Sequence, residues 1–250
     1  MRGSFPLLLI PIAIIFGTIP NILRRFIEQN KITIGGLGMD ESNRIAIIGG
    51  TGKVGRYLAC EALHRGYQVR MLVRNPQNLT YRDDRIELVE GSVEYIDHLR
   101  ALLKGCHTVI NAFGQPPKAI PMYSNVTSNL LNLMNELTIN RYIGVTGGSL
   151  TLQGDHKGLL NKLGAYMFET FLSEMITDKK REAAILQQHR SLDWTLIRLP
   201  FVTEGSAIGD VQVKLTDMPG FKISNQDIAS FMIGQINDKS YIRRAPFIAT

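Results

Sequence analysis

The order of apolar runs and glycines along this chain predicts an α/β fold: a doubly wound parallel sheet with a small C-terminal cap. Three observations carry the prediction. From about residue 43 onward, short apolar runs alternate with longer amphipathic ones, the pattern of βαβ units. The first apolar run leads straight into Gly49, Gly52 and Gly55 and then a helix-forming stretch. A composition of 44% hydrophobic and 20% charged over 250 residues is enough for one sizeable core.

The elements follow in order. Ile45–Ile48 is the first strand, with a helix over about Val54–His64 closed by Arg65-Gly66. Gln68–Val73 and Arg85–Glu90 read as strands two and three, and Ile96–Leu103 as the helix after them, ended by Lys104-Gly105. His107–Ala112 is the fourth strand. Ser124–Leu137 is a long helix whose Val126, Leu130, Leu133, Met134 and Leu137 are spaced for a buried stripe. Arg141–Val145 is the fifth strand, Leu159–Glu174 and Asp178–Gln188 are helices, and Trp194–Leu199 is the sixth strand. Gln226–Ile236 closes the chain as an amphipathic helix capped by Ser224 or Asn225. Trp194 and the methionines at helical spacing belong to the core.

Residues 1–42 form a separate region, an apolar leader or membrane tether and linker, and 43–250 the folded domain. Gly3 to Leu23 carries no charge, about the length needed to cross a hydrocarbon core, although Pro6, Pro11 and Pro20 make it an irregular span. Arg24 and Arg25 on its C-terminal flank place the domain on the cytoplasmic side if the segment is a tether. The alternative is an upstream extension with Met39 as the start; either way the domain is expected to be cytoplasmic. Of the net charge of +6, Arg2, Arg24, Arg25 and Lys31 against Glu28 supply half. The remainder is too small and dispersed to argue for nucleic acid, and suits an anionic cofactor. Cys60 and Cys106 lie in no ligand pattern and read as reduced thiols, and no metal site is visible.

The glycine stretch carries the clearest chemistry. A strand, a tight glycine turn and a helix N-terminus together make a Rossmann-type pyrophosphate site, with N–H donors and the positive end of the helix dipole aimed at the phosphates. At the end of strand two the chain reads Val73-Arg74-Asn75-Pro76, with no carboxylate before Asp83. A carboxylate there would accept bonds from a ribose 2′-hydroxyl, whereas Arg74 can clamp a 2′-phosphate, so NADP(H) is favoured over NAD(H). The alternative for Arg74 is a solvated strand-end arginine. Ser92 and Val93 follow strand three, where the adenine ring would pass. Phe113 and Gly114 follow strand four, with Asn111 a polar residue beneath that loop. After strand five comes Thr146-Gly147-Gly148-Ser149-Leu150, where the small residues admit a nicotinamide ring and an acceptor. Thr146 and Ser149 can donate to charge developing on that acceptor, Ser149 being the catalytic candidate. A simple glycine turn remains the other reading of this segment.

Residues 43–250 resemble the atypical short-chain dehydrogenase/reductase proteins of the NAD(P)H-binding, NmrA-like group, near the biliverdin reductase B and NADH-flavin reductase-like proteins. The resemblance rests on residues 49–55, Leu72-Val-Arg-Asn-Pro76, residues 105–110, Gly147-Gly-Ser-Leu150, residues 192–200 and Ser224-Asn-Gln-Asp-Ile-Ala229. It implies that Gly49, Thr51, Gly52, Lys53, Val54, Gly55, Arg74, Ser92, Val93, Phe113, Gly114 and Thr146 line the cofactor. It also implies that Gly148, Pro200 and Phe201 border the substrate side. Ser92 departs from the group, many members having Asp there.

Ordinary short-chain dehydrogenases use a Tyr-x-x-x-Lys pair, and none of the eight tyrosines here has lysine four residues on. Tyr166 comes nearest in placement, with Thr170 at the lysine position. Two functions remain: an NADPH-dependent reductase passing hydride to a conjugated small-molecule acceptor such as a flavin, quinone or tetrapyrrole, or an NADP(H)-sensing module without turnover. A non-binding scaffold is the third reading. His156 reads as a solvated loop residue, the alternative being one that faces the site, and His189 as a partner of a helix C-terminus. The run Asp178–Glu182 reads as a solvated helix start, the alternative being that one of its basic residues reaches an anionic acceptor.

Overall fold

The computed structural model describes residues 43–79, 83–116, 119–207 and 209–250. The expectations for residues 1–42 lie outside the described residues. Among those described, no helix is long and apolar enough to cross a membrane, and no group of three or more His, Cys, Asp or Glu side chains is placed to hold a metal ion.

Among the described residues, ten strands and six α-helices make the fold. Strand β1 (Arg44–Ile48) is followed by α1 (Gly55–His64), β2 (Gln68–Val73), β3 (Ile86–Glu90), α2 (Ile96–Leu103), β4 (Thr108–Asn111) and α3 (Tyr123–Glu136). Then come β5 (Arg141–Gly147), α4 (Leu159–Phe171), α5 (Ser173–Gln188), β6 (Asp193–Leu199), β7 (Phe201–Thr203), β8 (Gln212–Lys214), β9 (Lys222–Ser224), α6 (Asn225–Gly234) and β10 (Phe247–Ala249). The main sheet has the order β3-β2-β1-β4-β5-β6-β10-β8, parallel except for β8, while β7 and β9 pair as a separate two-stranded parallel ribbon.

This is the predicted doubly wound sheet, with two more strands at its far edge than the apolar pattern announced. The four C-terminal strands have three residues each, too short to show a period of two. Part of the region read as a cap is therefore sheet. The strands β1, β4, β5 and β6 are buried on both faces, as a sheet covered by helices requires. One face packs under α2, α3 and α5, with Leu99, Leu102, Leu130, Met134, Leu186 and Trp194 in that layer. The other packs under α1 and α6, with Leu58, Ala62, Ile228 and Met232. Ser224 caps α6 as expected, its hydroxyl accepting from the Asp227 N–H at 3.0 Å.

The run Asp178–Glu182 differs from its sequence reading. It lies inside α5, not at a helix start, and Asp178, Lys179 and Glu182 are buried against α3. Asp178 does there what α3 cannot do for itself. That helix has no side-chain cap of its own, and the Asp178 carboxylate accepts from the Ser124 N–H (3.1 Å) and from the Ser124 hydroxyl. A negative group at a helix N-terminus also meets the favourable end of the dipole.

Helix α4 is unusual in another way. None of its side chains is buried, and Leu159, Leu160, Leu163, Tyr166, Met167 and Phe171 are each more than half exposed. The expected helix 159–174 is in fact broken at Leu172, where α5 begins in a new direction. Cys60 is half-buried and Cys106 buried, and burial pushes the Cys106 thiol up to about 11.

Replacing Asp178 by Ala leaves the Ser124 N–H and hydroxyl without their acceptor, at a cost of about 2–3 kcal/mol for bonds to a charged group. Urea unfolding should show that loss as a lower midpoint with an unchanged slope, and an unshifted midpoint would remove Asp178 as the cap of α3.

Candidate functional site

A cavity of about 890 Å³ opens at the carboxyl edge of the sheet, where Ile48, Leu72, Ala112, Thr146 and Leu199 end or follow their strands. That volume is at the upper end of the roughly 300–1,000 Å³ usual for small-ligand and cofactor pockets. Ligands of open α/β sheets bind at this edge, beside the point where strand order reverses, here between β1 and β4.

The floor is the glycine loop. Gly49 has φ +76°, and a Cβ on it would lie 2.4 Å from the Ala112 carbonyl oxygen. Glycine is required there twice over, by the backbone conformation and by the neighbouring strand. The Gly52 N–H donates to Gly49 O at 2.9 Å, which closes the turn. Gly55 does not line the cavity. Its absent side chain lets α1 sit on the loop, since a Cβ would come within 2.0 Å of Gly49 O.

The N-terminus of α1 begins behind Val54 with no side-chain cap and no acid in its first turn. Gly52, Lys53 and Val54 line the cavity in front of it. Uncapped N–H donors, the positive end of the dipole and the nearby Lys53 ammonium together fit a pyrophosphate.

Arg74 lies on the wall, exposed, with no side-chain partner among the described residues. Sheet pairing sets Glu90 opposite Val73, a neighbour invisible in the linear sequence, but Glu90 takes no part in the wall. Ser92 and Val93 line the cavity, with the Ser92 N–H donating to His98 Nδ1 at 3.1 Å. Phe113 and Gly114 line it too. The Phe113 N–H donates to Asn111 Oδ1 at 3.0 Å, while Asn111 Nδ2 donates to the Tyr142 hydroxyl at 2.9 Å. Asn111 is thus the satisfied residue beneath the loop.

On the opposite wall stand Thr146, Gly147, Ser149 and Pro200. Thr146 is 5% exposed, and its hydroxyl has no hydrogen-bond partner among the described residues. A buried hydroxyl at a cavity wall normally finds a partner, so Thr146 is set to bond what the cavity holds. Ser149 is half-buried and its hydroxyl is likewise uncommitted among the described residues. Gly148 and Phe201 lie outside the wall. Gly148 faces Met218 and Leu199, where a Cβ would meet Met218 Cε at 2.0 Å, and Phe201 is 70% exposed on β7. His156 is exposed and does not line the cavity, whereas His189 Nδ1 meets the Ile185 carbonyl at 2.7 Å, the helix-end partnership expected.

The sequence reading left Lys179 as one of several basic residues of its run that could reach an anionic acceptor, and it missed Met175. Both line the cavity from α5, four residues apart on one face. The Lys179 ammonium is 3.6 Å from the Tyr123 ring centroid and 2.9 Å from Glu182 Oε2. A lysine thus stands on the wall, and the place of a tyrosine four residues before it is held by methionine. Tyr166 is 68% exposed and lines nothing. Tyr123, also missed, packs tilted against Phe113 with ring centroids 5.6 Å apart, accepts from the Gln115 N–H at 3.1 Å, and has its phenol pushed up by burial. A search for Tyr-x-x-x-Lys has no reason to stop at 175–179.

A family model described as NAD(P)H-binding matches residues 49–239, from the first glycine of the loop to beyond α6. The chain belongs to the NAD(P)H-binding family. Its members' cofactor fits the residues present: a bare glycine floor, an uncapped helix start, and an orphaned Thr146 hydroxyl. Among curated relatives of this NAD(P)H-binding protein, YwnB of Bacillus subtilis (strain 168) is 25% identical over 154 residues, 62% of this chain and 70% of that protein. Cinnamoyl-CoA reductase 1 of Oryza sativa subsp. japonica is 27% identical over 114 residues, 41% of this chain and 34% of that protein. Among solved structures, a short-chain dehydrogenase/reductase of Veillonella parvula in complex with NADP superposes with a TM-score of 0.66 at 15% identity, covering 83% of this chain and 94% of that one. A provisionally assigned NADH-flavin reductase of Streptococcus pneumoniae superposes with a TM-score of 0.67 at 18% identity, over 83% and 99% of the two chains. At those identities the structures establish the Rossmann fold, in agreement with the resemblance to atypical short-chain dehydrogenases.

Gly55→Ala forces α1 away from Gly49 and should weaken NAD(P)H binding about tenfold or more, with a stability loss of about 1–3 kcal/mol for overpacking. Nicotinamide fluorescence titration and thermal melting measure the two effects; wild-type affinity would mean that the α1–loop contact does not shape the phosphate site.

Proposed function

We propose that this chain is an NADPH-dependent oxidoreductase that passes hydride to a small conjugated acceptor of the flavin, quinone or tetrapyrrole kind. The observation that carries the reading is the pairing of Lys179 with Met175 on the cavity wall. A carbonyl-to-alcohol reduction draws on a tyrosine made acidic by such a lysine. With methionine in that place, the wall suits acceptors that accept hydride without a tyrosine proton donor, taking protons from water. The bound nicotinamide supplies the hydride, and the protein supplies orientation. Thr146 and Ser149 donate toward the reacting end, Ser149 being the catalytic candidate for charge that develops on the acceptor. Pro200 and the apolar side chains of Met175 and Ile176 border the acceptor's side.

Arg74 supports the preference for the phosphorylated cofactor. It offers a forked cation at the end of β2, where a carboxylate would select the ribose hydroxyl. The names of similar proteins, an NADH-flavin reductase and a complex with NADP, support a reductase of this class. Met175 also favours a second reading, NADP(H) binding without turnover, since a wall without the tyrosine can bind and report.

NADPH oxidation by the purified chain, followed at the nicotinamide absorbance with a flavin and quinone panel, decides between the two. Turnover with a conjugated acceptor is expected, and tight binding without turnover would leave the sensor; no NADP(H)-induced rise in melting temperature would leave neither. Arg74→Ala should weaken NADPH binding by about 2–3 kcal/mol, the scale of a charge-assisted pair, and NADH binding far less. Equal losses for both cofactors would sink the 2′-phosphate assignment.

A further inference from the structure

Lys157 is 5% exposed, in the loop between β5 and α4, and its ammonium donates to four acceptors in a row. They are the carbonyls of Gly148 (2.9 Å), Ser149 (3.1 Å) and Leu150 (3.0 Å), and the hydroxyl of Thr151 (3.0 Å). Three N–H groups serve four oxygens, so at least one bond is shared. No carboxylate among the described residues is bonded to this ammonium. Asp155 accepts from Arg198 Nη1 (2.6 Å) and the Leu152 N–H (2.9 Å), and Asp217 from the Gly158 N–H and Asn161 Nδ2. Glu169 is paired with Lys180, and the Phe247 ring lies 5.6 Å from the Lys157 nitrogen.

The charge is therefore held by backbone dipoles of one short segment. Burying an ammonium without a bonded counter-ion is unfavourable, and burial lowers the Lys157 pKa to about 8. A simple loop closure would not need a charged group. What the ammonium does gain is geometry: one atom binds three successive carbonyls, of which those of Gly148 and Leu150 have no other donor among the described residues. The segment so gripped runs from Gly148 to Thr151, directly after Gly147 at the end of β5. Gly147, Ser149 and Leu150 all line the cavity.

We propose that Lys157 is a positioning residue, which holds the Gly148–Thr151 segment through its carbonyls and so sets where the Ser149 hydroxyl stands over the acceptor. The claim rests on the reductase reading for its catalytic consequence, but not for its structural one. Lys157 itself touches neither cofactor nor acceptor. It acts as a template ion would, organising oxygens around a point charge, with the difference that the ion is tied to the chain.

The test uses the full chain, with Lys157→Met, Lys157→Arg and Thr151→Val. Amide hydrogen exchange is read for residues 148–151, with β1 amides as reference. In Lys157→Met the 148–151 amides should exchange about tenfold faster or more while β1 is unchanged. With NADPH and the best flavin acceptor, kcat should fall about tenfold or more, the scale expected of a small misplacement. The KM and Kd for NADPH should stay within about threefold, because the phosphate site is elsewhere. Lys157→Arg should restore part of kcat. Should Lys157→Met fail to fold, Thr151→Val removes one acceptor of four and should give a smaller acceleration confined to the same amides. Wild-type exchange at 148–151 in the variants, or uniformly faster exchange including β1, would overturn the proposal. Fast local exchange with unchanged kcat would overturn its catalytic part. If the wild-type chain turns over no acceptor, the reductase reading fails, and the exchange pattern still decides whether Lys157 holds the wall.

Discussion

The contact on which most of this molecule's design depends is the one between Gly55 and the carbonyl of Gly49. There is no room for even a methyl group between them. That closeness fixes where α1 starts relative to β1, and so sets the positive end of its dipole against the glycine loop. It also fixes the height of α1 above the sheet, and α1 in turn packs on α6 through the lower core. The phosphate site and half of the core therefore share one tolerance. Glycine at 49, with φ +76°, completes the constraint, because any side chain there would strike the strand next door.

The upper half of the site is joined to the core by polar groups. The Lys179 ammonium bonds Glu182, whose carboxylate accepts from Thr127; the Thr127 hydroxyl meets that of Tyr142, which accepts from Asn111, and Asn111 accepts from the Phe113 N–H. This chain of bonds runs from α5 through α3, β5 and β4 to the cavity loop without leaving the interior. Burial holds the Tyr142 phenol neutral far above its ordinary range, so the hydroxyl serves here as a hinge of hydrogen bonds. Two walls of the cavity that are distant in sequence are thereby kept in register.

How much of this was legible in the chain differs by the physics involved. The six long strands and their helices show their period directly, and the glycine loop announces both its turn and its ligand. The strands β7 to β10 have no such signal, being too short to alternate. The charged run Asp178–Glu182 reads as solvated because charges usually are; its burial depends on α5 lying against the N-terminus of α3, a tertiary fact. The same tertiary fact singles out Lys179 among the basic residues of that run, and a search for tyrosine cannot find Met175. Lys157 lies in a glycine-rich loop next to Asp155 and His156, where nothing local distinguishes a buried lysine from an exposed one. Side chains that bond backbone carbonyls leave no residue pattern to read.

Helix α4 leaves the fold with a surface that water does not favour. Its leucines, tyrosine, methionine and phenylalanines contribute nothing to the closed core, so their dehydration, worth about 25 cal/mol for each Å² removed from water, is still unrealised in this conformation. Such a face dominates the molecule's behaviour among other molecules in a way that its net charge does not. Salts excluded from protein surfaces will tend to drive it out of solution, and warming will strengthen the tendency before it unfolds the sheet. The interior of this protein is finished; its wetting is not, and the side on which it is unfinished is the one formed by residues 159–171.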